Sequence, residues 1–246
     1  MNRTGLIIVL AVAAVTGVTF ALYPELELRI ARPFYEIVDA AHNVFALRID
    51  PPLMLARDIG LWISIALIAP AVAALVIKLV LPRRKLLISG RAILFLISTL
   101  ALGPGLLVNG VLKEYWGRPR PIEVTQFGGT EHFVSWWDPR GTCDKNCSFV
   151  SGDVAGAIWT MAPAALAPPQ WRALAYGASL AFGTGMATIR VMQGGHFVSD
   201  TVFASVFTFL IIWIVYGLIY RWPRTRLSDA DVERAIERIV IPKSKR

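Results

Sequence analysis

Apolar residues gather along this chain in long runs instead of the narrow stripes of a water-soluble fold. Six runs stand out: Gly5–Leu22, Ile59–Leu81, Ala92–Leu112, Val154–Pro168, Ala173–Ile189 and Phe197–Tyr220. About 20 predominantly apolar residues cross a bilayer core as a helix, and a helix satisfies its backbone groups within the segment. The pattern predicts an all-α membrane protein, a bundle of six transmembrane helices. Pro163 softens the short fourth run. Gly103-Pro104-Gly105 interrupts the third, which neighbouring helices can re-satisfy. Two long polar stretches, Tyr23–Asp58 and Lys113–Asp153, form loops on one side. After Leu227 the pattern changes. Ser228-x-x-Asp231 reads as a capping-box start, and Val232, Ala235, Ile236, Ile239 and Val240 recur at helical spacing. This predicts a membrane-embedded unit over 1–226 and an amphipathic helical tail over 227–246 on the inner surface.

Composition agrees. The 246 residues are 55% hydrophobic and 17% charged, with mean hydropathy +0.56. Soluble domains carry roughly 25% charged residues, so disorder, collagen and a small disulfide scaffold are excluded and a soluble enzyme is disfavoured. The net charge of +8 is explained by position. Arg3, Arg83, Arg84, Lys85, Arg172, Arg221, Arg224 and Arg226 all fall on one side of the spans. By the positive-inside rule that side is cytoplasmic, which puts both termini inside, the two long loops outside, and makes nucleic acid an unnecessary partner. The first span reads as an uncleaved anchor, since no convincing small-x-small site follows it. Cys143 and Cys147 lie in the second outer loop and read as a local disulfide of an oxidising compartment. A zinc site would need more ligands than that loop supplies.

Three polar blocks sit where spans meet the outer side: Lys113-Glu-Tyr-Trp-Gly-Arg118-Pro-Arg120-Pro121, Ser148-Phe-Val-Ser151-Gly152-Asp153, and Arg190-Val-Met-Gln-Gly-Gly-His196-Phe-Val-Ser-Asp200. Ionisable groups at a membrane helix end are expensive and mark functional sites by default. Snorkelling would account for Lys113, Arg118 and Arg120 taken alone. It does not account for the third block. Asp200 follows His196 by one helical turn, so its carboxylate is expected to hold Nδ1–H and leave Nε2 free to attack.

The chemistry that suits these groups is phosphoryl transfer. Lysine and arginine would neutralise the equatorial oxygens of the transferring group. Ser151-Gly152, at the start of the fourth span, would offer backbone N–H groups and a positive helix end. His196 would attack phosphorus in line. No Asp/Glu metal cluster is evident, so fixed cations take the part that magnesium has elsewhere, with no cofactor.

Lys113-x6-Arg120-Pro121, Ser151-Gly152 and Arg190-x5-His196-x3-Asp200 together resemble the three-part signature of the type 2 phosphatidic acid phosphatase superfamily, integral-membrane branch. The resemblance implies a metal-independent helical phosphatase with a phosphohistidine intermediate, acting on lipid phosphates such as phosphatidic acid, phosphatidylglycerol phosphate, undecaprenyl diphosphate or lipid A. It implies Lys113, Arg120 and Arg190 on phosphate, with Arg118, Ser151 and Gly152 beside them. His196 is the nucleophile held by Asp200. The sequence departs from the family pattern where Pro-Ser-Gly-His becomes Val150-Ser151-Gly152-Asp153, and where Ile189 replaces a serine, whose contact Thr184, Thr188 or Arg118 would partly supply. Asp153 then stands where the family has its general acid, and needs a raised pKa to act as one. The expected setting is a bacterial inner membrane with the site facing the periplasm, and a lipid A-type substrate fits the two long outer loops. A phosphotransferase passing the group to a second lipid and a non-catalytic lipid-phosphate binder are the alternatives, and oligomeric state is left open. Trp116, Trp136 and Trp137 read as interfacial anchors, and His42 and His132 as ordinary loop residues.

Overall fold

A computed structural model describes residues 2–37 and 43–240; His42 and the last six residues of the tail lie outside them. The fold is mostly helical. Four helices are long and apolar enough to cross a membrane: α1 (Arg3–Leu22), with α3 (Pro51–Val80), α4 (Gly90–Tyr115) and α8 (Val198–Arg221) following in the chain. They cover four of the six predicted runs. The short helix α2 (Glu25–Ala31) follows α1 directly.

The fourth run differs from expectation. It forms two helices, α5 (Gly152–Trp159) and α6 (Met161–Leu166). Pro163 has no N–H to give to the carbonyl of Trp159, and its ring crowds that turn. At the junction Thr160 bonds back to the carbonyl of Ala157 through both its N–H and its hydroxyl, the latter at 2.7 Å. The fifth run lies in α7 (Pro169–Met192), whose polar and small residues make it less apolar than the four long helices. Gly103-Pro104-Gly105 does not break α4. The helix widens to π geometry over Ala101–Leu112, and the Asn109 amide donates to the carbonyl of Pro104 at 2.7 Å.

α3 begins eight residues before the predicted run. Asp50 caps it by accepting from the Leu53 N–H, and Pro51 takes the first position, where its missing N–H costs nothing. The first loop is not wholly irregular: Tyr35–Ile37 and Asn43–Phe45 pair as a short antiparallel ribbon, β1 and β2. In the second loop Cys143 and Cys147 are joined as a disulfide. Both loops meet in one apolar cluster of Ala31, Phe45, Val124, Phe127 and Phe197. Trp116 and Trp136 are half-buried and pack against a second apolar cluster that includes Val108, Phe149 and Phe203. Trp136 donates its indole N–H to the carbonyl of Gly17, and Trp116 stacks on Phe149. Trp137 alone of the three is largely exposed.

The tail helix α9 (Asp229–Val240) packs against α3 and α4. Val232 and Ile236 are buried, so much of its apolar stripe is used within the protein, while Ile239 is exposed. The expected capping box forms, with Asp231 accepting from the Ser228 N–H and hydroxyl.

Candidate active site

The three blocks converge at one end of the bundle. Arg190 closes α7, and the chain then turns through Gly194, whose φ of +63° favours glycine. Gly195 lets the guanidinium fold over this turn, since a Cβ there would stand 2.4 Å from Arg190 Nη2. Arg190 Nη1 donates to Gln193 at 2.8 Å.

His196 follows and is 1% exposed. Its Nδ1–H donates to the backbone carbonyl of Ser148 at 2.7 Å. A carbonyl can only accept, so a proton sits on Nδ1, and in the neutral ring Nε2 is the nitrogen that carries the lone pair. Burial, then the positive charges of Arg190, Lys113 and Arg120, hold the imidazole well below its ordinary pKa. The ring is therefore neutral, as a nucleophile must be.

Asp200 does not bond the ring directly. Its Oδ2 is 4.0 Å from Nδ1, and accepts instead from the Ser148 hydroxyl at 2.6 Å and the Phe197 N–H at 2.8 Å. The expected carboxylate–imidazole bond is replaced by a two-part arrangement in which Asp200 holds Ser148 and Ser148 holds His196. The physical reason is local. His196 precedes the first residue of α8, so one-turn helical spacing does not apply to it.

Arg118 corrects a second expectation. It is fully buried, and its guanidinium is taken up by protein partners. Nε donates to the carbonyl of Val134 at 2.9 Å and Nη2 to Glu27 at 2.9 Å. Nη1 donates to Ser199 at 2.8 Å and Asp200 at 2.5 Å, while the guanidinium lies 4.5 Å from the centre of the Phe197 ring. With those bonds made it has no fork left for phosphate.

Lys113 lies near the end of α4, among the charges of Arg120, Asp153, Arg190 and Arg57; its carbonyl accepts from the Cys147 N–H, while its ammonium makes no hydrogen bond or ion pair among the described residues. Arg120 is held from the disulfide loop, donating from Nη2 and Nε to the carbonyl of Asn146 at 2.6 and 3.2 Å. Ser151 caps α5 by accepting from the Val154 N–H. At Gly152 a Cβ would meet Asn109 Oδ1 at 2.6 Å, so glycine lets α4 and α5 approach.

Asp153 is clamped between two arginines. Oδ2 accepts from Arg57 Nε at 2.9 Å and lies 3.0 Å from Arg190 Nε, at an angle outside hydrogen-bonding range. Thr184 and Thr188 line a groove against α8, not the cation cluster. A polar cavity of about 330 Å³ opens beside the cluster, lined by Arg48, Arg57, Asp58, Arg120, Arg190 and Gln193, with Ile49 and Met54. Among the described residues no group of three or more His, Cys, Asp or Glu side chains is placed to hold a metal ion.

Glu27, Arg48, Arg57 and the Asn146 carbonyl were not legible as site groups. One signal existed for Arg57: Asp50-Pro51-Pro52 is a helix start, which makes Arg57 a charge within a membrane helix.

Fold and site together define a membrane-embedded phosphatase of lipid phosphates. Residues 92–224, which hold all three blocks, match the PAP2 superfamily, and the chain belongs to that family. A lipid A 4'-phosphatase of Francisella tularensis subsp. novicida (strain U112) is 37% identical over 227 residues, 90% of this chain and 98% of that protein. A lipid A 4'-phosphatase of Rhizobium leguminosarum is 42% identical over 106 residues, covering 43% of this chain and 46% of its own. That of Rhizobium etli (strain ATCC 51251 / DSM 11541 / JCM 21823 / NBRC 15573 / CFN 42) is 40% identical over 104 residues, 42% of this chain and 40% of that one. No solved structure matches the chain.

Proposed function

We propose that the protein removes a phosphate from a lipid A-type glycolipid at the periplasmic face of the inner membrane, without metal, through a phosphohistidine on His196. The observation that carries this is the neutral, tautomer-fixed imidazole of His196 beside Lys113, Arg120 and Arg190. Nε2 attacks phosphorus while the bond to the lipid oxygen breaks, and the three cations neutralise the equatorial oxygens. Water then attacks phosphorus, the P–N bond breaks, and inorganic phosphate leaves.

Asp153 enters as a carboxylate paired with Arg57 and Arg190. An incoming phosphate dianion competes for Arg190 and brings negative charge close to Asp153. Both effects favour its protonated form. In the complex it gives that proton to the leaving oxygen, and as a carboxylate it then takes one from the attacking water. A glycolipid headgroup suits the polar cavity, whose Arg48, Asp58 and Gln193 offer hydrogen bonds that a bare prenol could not use.

Six membrane passages with both termini cytoplasmic complete the proposal. At 24 residues α7 is about 36 Å long, enough for a bilayer core, and α5 with α6 packs between the longer helices. The arginine distribution and the disulfide support the orientation.

The test is phosphate release by purified enzyme from lipid A, undecaprenyl diphosphate and phosphatidic acid, with mass analysis of the lipid product. Loss of one phosphate from lipid A, preferred over the other two, is expected. No release from lipid A, or transfer of the group to an acceptor lipid in place of water, overturns it.

A further inference from the structure

Glu27 is a carboxylate 1% exposed, on a short helix outside the signature blocks and outside the family-matched residues 92–224. Burying an ionisable group costs several kcal/mol unless it is paired and hydrogen-bonded. Glu27 is both. Oε1 accepts from Arg118 Nη2 at 2.9 Å, and Oε2 accepts from the Ser199 hydroxyl at 2.8 Å. Ser199 in turn accepts from Arg118 Nη1, which also donates to Asp200 Oδ1. Glu27, Arg118 and Ser199 thus form a closed polar ring, with Asp200 joined to it through Arg118 Nη1, all buried between α2, the second loop and the start of α8.

Of these four residues only Asp200 reaches the nucleophile's supports, through the Ser148 hydroxyl and the Phe197 N–H. Ser148 accepts the imidazole N–H through its carbonyl, and Phe197 is the next residue in the chain after His196. The series Glu27–Arg118–Asp200–Ser148–His196 is continuous in hydrogen bonds. Without Glu27, Nη2 of a fully buried arginine loses its acceptor, and the guanidinium can settle only by shifting toward Asp200. Such a shift would be passed to Ser148 and then to the ring.

We infer that Glu27 is a positioning residue for the nucleophile: it fixes Arg118, and through Arg118 and Asp200 sets the orientation of His196. The inference rests on His196 being the phosphoryl acceptor. It makes α2, a segment the signature does not include, part of the catalytic apparatus without touching substrate.

The test uses full-length enzyme in detergent, with steady-state kinetics and single-turnover trapping of the phosphohistidine. Glu27→Ala is expected to slow both kcat and phosphohistidine formation about 30–100-fold, the cost of a misplacement near 1 Å, with KM within about twofold. Glu27→Gln keeps an acceptor for Arg118 and is expected to recover to within about fivefold of wild type. In an Asp200→Asn background Glu27→Ala should add less than about threefold, because both act along one path. Multiplicative losses in the double variant, a rise in KM at constant kcat, or wild-type kcat in folded Glu27→Ala would each overturn the inference. Should Glu27→Ala fail to fold, Glu27→Asp withdraws the carboxylate by one methylene and keeps its charge. A folded Glu27→Asp with wild-type kcat overturns the inference equally, and a slowed one supports it. A wild-type enzyme that never traps phosphate on His196 would refute the proposed mechanism itself, a result distinct from all of these.

Discussion

Two cations are buried at opposite ends of this bundle, each between two carboxylates, and they do different things. Arg118 lies at the site end with Glu27 and Asp200, and all three side chains are 0% exposed. Lys78, 2% exposed, lies at the other end of α3 and donates to Glu233 at 2.7 Å, Glu237 at 2.6 Å and the carbonyl of Arg84 at 2.9 Å. The glutamates there are 29% and 36% exposed. A guanidinium is a rigid fork that fixes the directions of its acceptors, whereas an ammonium is a compact point charge that tolerates rearrangement. The arginine therefore lies where orientation matters, linked through Asp200 and Ser148 to the imidazole of His196. The lysine serves where attachment suffices, pinning α9 to α3. Residue type and the water access of the acceptors separate the two roles.

Substitutions at the site end should move chemistry, and those at the tail end only stability. The largest effect belongs to His196→Gln, which should lower kcat by at least about 10³-fold while the enzyme elutes and melts like wild type; appreciable turnover would remove the nucleophile assignment. Its lowered pKa adds a sign. Only neutral His196 attacks, so protonation of the ring should not reduce kcat/KM as pH falls through the ordinary imidazole value near 6.5. An acid limb at that value that disappears in fully ionised substrate analogues would be acceptable. One that persists in them would not.

Next comes Asp153→Asn, expected to cost about 10²-fold on the native lipid and less than about threefold on an aryl phosphate whose leaving group needs no proton. Equal losses on both would reduce Asp153 to an ion-pair partner of Arg57 and Arg190. Arg118→Lys should lower kcat about 30–100-fold, with KM little changed, because one ammonium cannot serve the Val134 carbonyl, Glu27, Ser199 and Asp200 together. The smallest effect on rate is expected from Lys78→Met. Specific activity should stay within about twofold, and the cost in stability should be about 1–2 kcal/mol, because Glu233 and Glu237 can reach water once unpaired. Faster proteolysis of the tail would register it. A large loss of kcat in Lys78→Met would erase the contrast between the two ends.

What the sequence disclosed follows the same division between local and distant information. The apolar runs of α1, α3, α4 and α8 are uniform, so their existence could be read directly. The break at Thr160 depends on one proline, and the early start of α3 on a cap. The three polar blocks could be picked out because the spacing within each is local. Arg118 was misplaced because a positive charge beside Arg120 carries no sign of which way it points. Glu27 and Arg57 could not be found by spacing, since their partners are 91 and 96 residues away. The Asp200–His196 contact was misread by assuming a helix that begins only at Val198.

The buried network also sets how much of the chain must be made before the site is complete. Glu27 emerges with the first helix, Arg118 lies 91 residues later and Asp200 82 residues beyond that. Contacts of such separation close late, after the entropy of the intervening chain has been overcome. Until α8 is in place Arg118 lacks one of its carboxylates and Ser148 lacks the acceptor that fixes it. A nascent or truncated chain can hold the cations of the first block and still have nothing to aim. The order of the chain means that this site is complete only once the start of α8 has joined the bundle.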